Sequence, residues 1–271
     1  MRITFVTIAQ NEEKKIARCI HSTRGLGQHL VIDGGSRDGT VATAEELGCR
    51  VLKRTYRYSA DQYNYGLSQV ETPWVFILDA DETLSDRLRQ SLAELADAGE
   101  TVAAYEVSRL NLVWGRPLRH GGWYPDFNAR LLRVGKVRYQ DREVHARLTI
   151  DGELGRLVGD IVHETYDSVD HYLTKLNKFT TRELLARNRA NASTEAVAAK
   201  RELWLRTPFK PLTKFLYQYV AKQGFRDGRL GLDMAILSAF YEYIVGVKKR
   251  SGLAAGAPGS LQSPARDVVQ P

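Results

Sequence analysis

The sequence predicts an α/β fold with a mostly parallel central sheet flanked by helices, followed by a C-terminal helical appendage. Short apolar runs alternate with helical runs through roughly the first hundred residues, a pattern typical of parallel strands with covering helices. Strand-like segments separated by turn residues then occupy 102–163, and the pattern is helical again from Ser168 onward. The middle segment therefore predicts an α+β completion of the sheet.

Each predicted element follows from its local pattern. The predicted strands are short and apolar or β-rich, at 2–8, 29–33, 49–54 and 74–79. The predicted helices lie at 11–23, 41–48, 59–70 and 84–99. Asn11 is the expected N-cap of the first helix. These elements predict a first domain at 1–167, a helical appendage at 168–250 and a disordered Pro/Gly/Ser-rich tail at 251–271.

Composition limits the class of protein. The chain has 271 residues, a net charge of +7 and 43% hydrophobic residues, enough for a substantial core. Cys19 and Cys49 lack metal-ligand spacing, which predicts reduced thiols in a cytosolic protein. The apolar run in 1–15 is too short for a signal peptide, and charged residues follow it at once.

Positive charge is concentrated late in the chain. Between Arg201 and Arg250 there are ten Lys/Arg and four Asp/Glu, a net excess of six positive charges. The sequence carries no helix-turn-helix, zinc or RNA-binding signature, so no nucleic acid partner is expected. Interleaved aromatic and basic residues instead favour an anionic membrane surface. The alternative is a helical subdomain with a solvated basic face.

The apolar segment 230–247 is interrupted by Asp233 and Glu242. Carboxylates in the middle of a helix are costly within a bilayer, so no transmembrane segment is expected.

Three carboxylates follow a buried strand in "WVFILDADE" (74–82). Asp79, Asp81 and Glu82 would repel one another unless a cation lay between them. Oxygen ligands in this spacing suit Mg²⁺ or Mn²⁺. The alternative is that Asp81 and Thr83 cap a helix starting near Leu84.

Two further polar loops follow predicted strands, "AQNEE" after the first and "DGGSRDGT" after the second. Ligands of open α/β sheets bind at the carboxyl ends of such strands. Asp33 can accept hydrogen bonds from a base or ribose, while Gly34 and Gly35 allow close backbone approach. The second loop alone could equally be a turn followed by a helix cap.

These motifs resemble glycosyltransferase family 2, which has the GT-A nucleotide-sugar fold. The resembling segments are "TIAQNEE" (7–13), "VIDGGSRDGT" (31–40), "DQYNYG" (61–66), "WVFILDADE" (74–82), "WYPDFNARLLR" (123–133), "VHARLTIDG" (144–152) and "VGDIVHETY" (158–166). The resemblance covers roughly 1–250 by motif order. It is closest to bacterial β-1,4-glucosyltransferases of the lipopolysaccharide inner core.

The resemblance implies site residues. The implied nucleotide-sugar ligands are Thr7, Ala9, Asn11, Glu12, Asp33, Ser36, Asn64, Asp79 and Ala80. The implied ligands of Mg²⁺ or Mn²⁺ are Asp79, Asp81 and His163. For His163, a hydrogen-bonded surface histidine is the alternative. The implied donor is a UDP-sugar, the implied acceptor a glycan or glycolipid, and the implied location the inner face of the cytoplasmic membrane.

Family 2 enzymes of this kind invert the anomeric centre, which requires a base for the acceptor hydroxyl. The subgroup resembled has a glutamate where this chain has Ala146. Asp126 or Glu143 is expected to serve instead. The alternative is a noncatalytic or weakly active homologue that binds nucleotide-sugar or membrane.

Overall fold

The computed structural model describes residues 2–95, 101–140, 147–190 and 209–251, with the side chains of 185–190 left out. The chain divides into a first compact unit, Met1–Ser168, and a second, Val169–Pro271. The first unit contains both the sheet and the candidate site.

The strands of the first unit are β1 (Ile3–Ala9), β2 (Gln28–Asp33), β3 (Arg50–Lys53), β4 (Trp74–Ile77), β5 (Glu82–Leu84), β6 (Val102–Val113), β7 (Arg116–Pro117), β8 (Asp126–Arg133), β9 (Val137–Tyr139), β10 (Leu148–Ile150) and β11 (Glu153–Tyr166). Its helices are α1 (Glu13–Thr23), α2 (Thr40–Glu46), α3 (Ser59–Ser68) and α4 (Asp86–Glu94). The predicted α/β fold is confirmed.

The parallel part of the main sheet runs in the order β3-β2-β1-β4. Ala9 at the end of β1 pairs with Asp33 at the end of β2. The loops that follow β1, β2 and β4 therefore leave the sheet at one edge, as the motif order predicts.

The sheet then continues as β8-β6-β11-β5. The pairs β4–β8, β8–β6 and β11–β5 are antiparallel, whereas β6 and β11 are parallel. His163 in β11 pairs with Glu82 in β5 on one side and with Asn111 in β6 on the other. This pairing brings a late histidine beside the motif that follows β4.

Strands β1 and β4 lie in the core of the sheet, because their apolar side chains are packed on both faces. Phe5 and Phe76 are fully buried, with ring centroids 5.4 Å apart. On α3, a Cβ at Gly66 would lie 2.8 Å from Val6, so glycine allows this helix to lie directly on the sheet. Cys19 and Cys49 are buried and not in a disulfide, as predicted.

The structure corrects two predicted helix starts. Residues Glu82–Leu84 form β5, because they pair with β11, and α4 begins only at Asp86. Its cap is Ser85, whose hydroxyl accepts the N–H of Leu88. Neither Asp81 nor Thr83 caps this helix.

Helix α1 begins at Glu13, and Glu12 occupies its N-cap position without a side-chain hydrogen bond. Asn11 is therefore not the cap. Its φ of 58° lies in the left-handed region, which asparagine tolerates better than most residues.

The second unit is helical. It contains α5 (Val169–Ala190), α6 (Lys210–Leu216), a π-helical turn (Tyr217–Ala221), a 3-10 turn (Gly224–Asp227) and α7 (Gly228–Arg250). Lys248 of α7 donates hydrogen bonds to Asn177 and to Thr180 of α5. The predicted disordered tail lies outside the described residues, apart from Ser251.

The helical stretch Gly224–Arg250 is long enough and apolar enough to cross a membrane by length and composition alone. The expectation that the chain has no transmembrane segment therefore stays a prediction. Leu230, Met234 and Ala235 of this stretch are buried.

Candidate active site

The loop after β2 is folded around the Asp33 carboxylate. Asp33 is only 2% exposed, and its oxygens accept the backbone N–H groups of Gly35 and Ser36, each at 3.1 Å. Gly35 has a φ of 100°, a conformation that favours glycine. Asp33 thus lies at the predicted edge, and it also shapes the loop beside it.

The loops after β1 and β2 are joined to each other. The N–H of Asn11 donates to the Ser36 hydroxyl at 2.9 Å, and the Asn11 side-chain oxygen accepts the N–H of Arg37. The N–H of Glu12 donates to the Thr40 hydroxyl at 2.7 Å. Asn11, Glu12, Asp33 and Ser36 therefore form one continuous wall at the carboxyl edge of the sheet.

Thr7 does not present its side chain to this wall. It is fully buried, and its hydroxyl is hydrogen-bonded to Nε2 of His29 at 2.9 Å. Ala9 and Ala80 reach the edge but are also buried, packed in one apolar cluster. The nucleotide-sugar role implied for Thr7, Ala9 and Ala80 stays a prediction.

Asn64 is hydrogen-bonded to the backbone of Tyr139, and its expected place near the donor stays a prediction. Its amide nitrogen donates to the Tyr139 carbonyl at 2.9 Å, and its amide oxygen accepts the Tyr139 N–H at 3.0 Å. These two hydrogen bonds join α3 to β9 and use both the amide nitrogen and the amide oxygen of the side chain.

Asp79 is held from two sides. The Tyr63 hydroxyl donates to Oδ1 at 2.8 Å, and Nη2 of Arg130 lies 3.5 Å from Oδ2. Burial and the nearby Asp79 raise the pKa of Tyr63 well above its usual value, so the hydroxyl remains a donor. The Asp79 side chain is 35% exposed, and it faces Tyr63 and Arg130.

Glu82 is the buried carboxylate of the motif. It is fully buried, Arg130 donates to it at 2.7 Å, and its Oε2 accepts the backbone N–H of Asp79 at 3.0 Å. Burial raises the pKa of Glu82, and the positive charge of Arg130 opposes that shift. Glu82 thereby fixes the backbone turn that carries Asp79 and Asp81.

Asp81 and His163, two of the residues expected to bind the metal, lie next to each other. Oδ2 of Asp81 lies 3.4 Å from Nε2 of His163. On the other side of the ring, Nδ1 lies 2.9 Å from the Asn111 side-chain oxygen. Nδ1 also lies 3.0 Å from the Thr165 hydroxyl. In the tautomer with the proton on Nδ1, that proton donates to Asn111 and the Nε2 lone pair is directed towards Asp81.

The predicted metal ligands Asp79, Asp81 and His163 stay a prediction. Across the described ranges, which leave out 96–100, 141–146 and 191–208, no group of three His, Cys, Asp or Glu side chains is placed to hold a metal ion. Asp81 and His163 are adjacent, whereas Asp79 is turned towards Tyr63 and Arg130.

Asp126, a candidate base, begins β8 and is 36% exposed. Its Oδ2 accepts from Nε and Nη2 of Arg109 at 2.9 and 2.6 Å, and its Oδ1 accepts from Asn128. Arg109 also lies 3.9 Å from Glu82. Arg109 therefore lies between Asp126 and Glu82, the last carboxylate of the motif after β4.

The other candidate base, Glu143, lies outside the described residues, as do His145 and Ala146. The interpretation that Ala146 marks a noncatalytic homologue stays open for the same reason.

Three contributors were not singled out from the sequence: Tyr63, Arg130 and Asn111. Glu82 was recognised as a carboxylate of the motif, but its structural role was not. Arg130 has the clearest signal in the sequence, because it lies between Ala129 and the leucines Leu131 and Leu132, and a charged residue among buried neighbours requires a partner.

A cleft of about 470 Å³ opens elsewhere in the first unit. Its lining includes Thr4, Gln28 and Arg50, which lie at the amino-terminal ends of β1, β2 and β3. The polar loops and carboxylates lie at the opposite edge, so the chemistry of the residues locates the site better than the size of a cleft does.

This geometry defines a class of protein, an α/β enzyme domain with carboxylates and a histidine at the carboxyl edge of its sheet. A sequence model described as "Glycosyl transferase family 2" matches residues 4–150. The chain belongs to this family and is a glycosyltransferase.

Named relatives agree with that membership. The chain is 30% identical over 254 residues to the "Lipopolysaccharide core biosynthesis glycosyltransferase LpsC" of Rhizobium meliloti, covering 89% of each protein. It is 34% identical over 92 residues to an "Uncharacterized glycosyltransferase" of Rickettsia felis, covering 34% of this chain and 32% of that protein.

Solved structures are more distant. Glucosyl-3-phosphoglycerate synthase from Mycobacterium tuberculosis, in complex with Mn²⁺, UDP and glucosyl-3-phosphoglycerate, matches with 22% identity and a TM-score of 0.34. The match covers 41% of this chain and 44% of that one. A structure described as a mycobacterial protein matches with 18% identity and a TM-score of 0.44, over 60% and 67% of the two chains. Both scores are below 0.5, so neither match supports a statement about ligands.

Proposed function

We propose that this chain is an inverting, metal-dependent glycosyltransferase that transfers a sugar from a UDP-sugar to a lipopolysaccharide core or related envelope glycan. The relative named for lipopolysaccharide core biosynthesis supports the acceptor class, since the similarity extends over nearly the whole of both chains. The arrangement of Asp81 and His163 supports the metal.

The observation that carries the proposal is the 3.4 Å separation between Oδ2 of Asp81 and Nε2 of His163. A lone pair facing a carboxylate is unfavourable unless a proton or a cation lies near both. One oxygen and one imidazole nitrogen fit Mn²⁺, and Mg²⁺ to a lesser degree. Two protein ligands leave further positions for diphosphate oxygens and water, which is the usual arrangement for Mg²⁺ at phosphate sites.

A cation bound by these two residues would stabilise the charge that develops on the departing diphosphate. The protein groups around it have separate tasks. Glu82 and Arg130 hold the turn that presents Asp81, and the wall of Asn11, Asp33 and Ser36 would border the nucleoside.

Asp126 is the proposed base that accepts the proton of the acceptor hydroxyl. Its ion pair with Arg109 holds the carboxylate in place at the start of β8. Its partial exposure leaves the carboxylate accessible to an acceptor. Glu143 is the alternative candidate for this role.

The second unit is proposed to associate with the inner face of the cytoplasmic membrane. Phe209, Leu212, Leu216 and Val220 recur every three or four residues, and each is at least 47% exposed. Lys210, Lys214 and Lys222 lie in the same stretch. Exposed apolar side chains next to lysines suit an anionic lipid surface, which would also hold a glycolipid acceptor nearby.

Calorimetry of UDP binding tests the metal site. UDP should bind well with Mn²⁺ and weakly with chelator, and Asp81→Asn should remove the difference. Asp151→Asn is the matched control, because its side chain is 83% exposed and pairs with Lys136. An Asp81→Asn variant that keeps full Mn²⁺-dependent affinity would refute the proposal. NMR of the product's anomeric proton with a cognate acceptor tests inversion.

A further inference from the structure

Asn111 lies near the carboxyl-terminal end of β6 and is 4% exposed. It is the register partner of His163 across the parallel β6–β11 pair. No role follows for it from the motifs of the sequence, yet its amide contacts the imidazole of the proposed metal ligand.

The orientation of the Asn111 amide is set by its nitrogen. Nδ2 donates to the Trp123 carbonyl at 3.3 Å, so the amide oxygen must face the other way. That oxygen lies 2.9 Å from Nδ1 of His163 and 2.9 Å from the Thr165 hydroxyl. An amide oxygen accepts only, so this contact favours the tautomer with the proton on Nδ1, which leaves Nε2 towards Asp81. The Thr165 hydroxyl, 3.0 Å from Nδ1, fits the same tautomer because it donates to the Asn111 oxygen.

Asn111 also holds both ends of one segment, Leu118–Trp123. Its backbone carbonyl accepts the N–H of Leu118 at 2.9 Å, while its side chain holds the Trp123 carbonyl. Within the segment, Gly121 and Gly122 have φ values of 69° and 80°. Three residues after Trp123 the chain reaches Asp126, the proposed base.

We infer that Asn111 is a positioning residue that sets the tautomer of His163 for cation binding and ties that histidine to the segment leading to Asp126. The inference rests on the proposed function for its use of the cation. The hydrogen bond from Nδ1 orients the ring and makes Nε2 a better ligand. Through its bond to Trp123, Asn111 also supports the segment that leads to the proposed base Asp126.

Two substitutions separate these tasks. Asn111→Leu removes both side-chain bonds. Asn111→Asp keeps an oxygen acceptor for Nδ1 but loses the donor to Trp123. Asn111→Leu should weaken Mn²⁺ binding in the presence of UDP by about 10- to 100-fold, the usual effect of removing such a partner. Asn111→Asp should keep Mn²⁺ affinity at or above the original value and raise the KM for acceptor.

The test begins with ¹⁵N-histidine NMR of the metal-free protein, with the His163 signals assigned from His163→Gln. The expected spectrum has a protonated Nδ1 and an unprotonated Nε2 for His163, and Asn111→Leu should lose this preference. Ser108→Ala, on the same strand and 5% exposed, is the control and should change neither the spectrum nor Mn²⁺ affinity.

A proton on Nε2 in the original protein would overturn the inference, and so would unchanged Mn²⁺ affinity in Asn111→Leu. If Asn111→Leu does not fold, loss of the tautomer preference in Asn111→Asp would overturn it. If the original protein binds no Mn²⁺ with UDP, the proposed function fails, and the ¹⁵N spectrum still decides the role of Asn111.

Discussion

Nη2 of Arg130 lies 2.7 Å from Oε1 of Glu82, and both side chains are buried. The pair joins β8 to β5 beneath the turn that carries Asp79 and Asp81. Of the three carboxylates after β4, Glu82 therefore has a structural task, because Arg130 neutralises its charge and its second oxygen holds the Asp79 backbone.

Arg130→Met should destabilise the protein strongly. Removing one partner leaves the Glu82 carboxylate buried without its counter-ion, which typically costs about 3–5 kcal/mol of the free energy of unfolding. Urea denaturation measures this loss. Arg156→Met is the control, since Arg156 is 59% exposed in its ion pair with Glu106, and such pairs contribute about 1 kcal/mol or less. Equal losses of unfolding free energy in the two variants would show that the buried ion pair stabilises the protein no more than the exposed one does.

Asn64→Ala should reduce stability without changing UDP affinity. The variant loses both hydrogen bonds to the Tyr139 backbone, each worth about 1 kcal/mol. Asn64→Asp should also lose stability, because it keeps the acceptor for the Tyr139 N–H but places a carboxylate oxygen against the Tyr139 carbonyl. Denaturation combined with calorimetry checks both quantities. If Asn64→Ala has normal stability but binds UDP poorly, the prediction is wrong, and Asn64 contacts the donor as the sequence leads us to expect.

Stability should fall as the pH drops from about 6.5 to about 4 because of His29. Burial lowers the pKa of His29 from 6.5 to about 4, and its ring bonds to Thr7 and Thr23. Between these values the unfolded chain binds a proton that the folded protein does not, so protonation favours unfolding. The effect is about 3 kcal/mol at most. Denaturation at pH 7 and at pH 5 should show this fall in the free energy of unfolding. The His29→Gln variant should lose the pH dependence of stability, whereas the control variant His21→Gln should keep it.

Paired replacement of Phe209 and Leu212 by serine should weaken sedimentation with anionic vesicles. These side chains are 63% and 57% exposed, and burying them in the lipid interface would supply the apolar part of binding. Neutralising Lys210 and Lys214 should reduce the salt-sensitive part, about 1 kcal/mol for each charge. Val158→Ser, 58% exposed in the first unit, is the control. Equal binding to neutral vesicles at every salt concentration would contradict the electrostatic part.

The strands and polar loops at the carboxyl edge could be predicted because their signals are local. Apolar runs such as 74–79 mark buried strands, and carboxyl ends of parallel neighbours share an edge. The start of α4 was misplaced because β5 forms only by pairing with β11, and a short run such as Glu82–Leu84 carries no such information.

The roles of individual side chains were harder to predict. Thr7 and Asn64 belong to segments resembling the family, but the partners that occupy them, His29 and Tyr139, come from other strands. The pairing of Asp81 with His163 was expected from resemblance alone. Its physical basis is the long-range register between β5, β11 and β6, which no local pattern shows.

The central claim is that His163 binds the divalent cation through Nε2, together with Asp81. Pulsed electron paramagnetic resonance of the protein with Mn²⁺ and UDP tests it most directly, because a coordinated imidazole nitrogen gives a ¹⁴N modulation. The signal should be present in the original protein, absent in His163→Gln and unchanged in His21→Gln. A spectrum without nitrogen coupling from the original protein, or one that survives in His163→Gln, would contradict the claim.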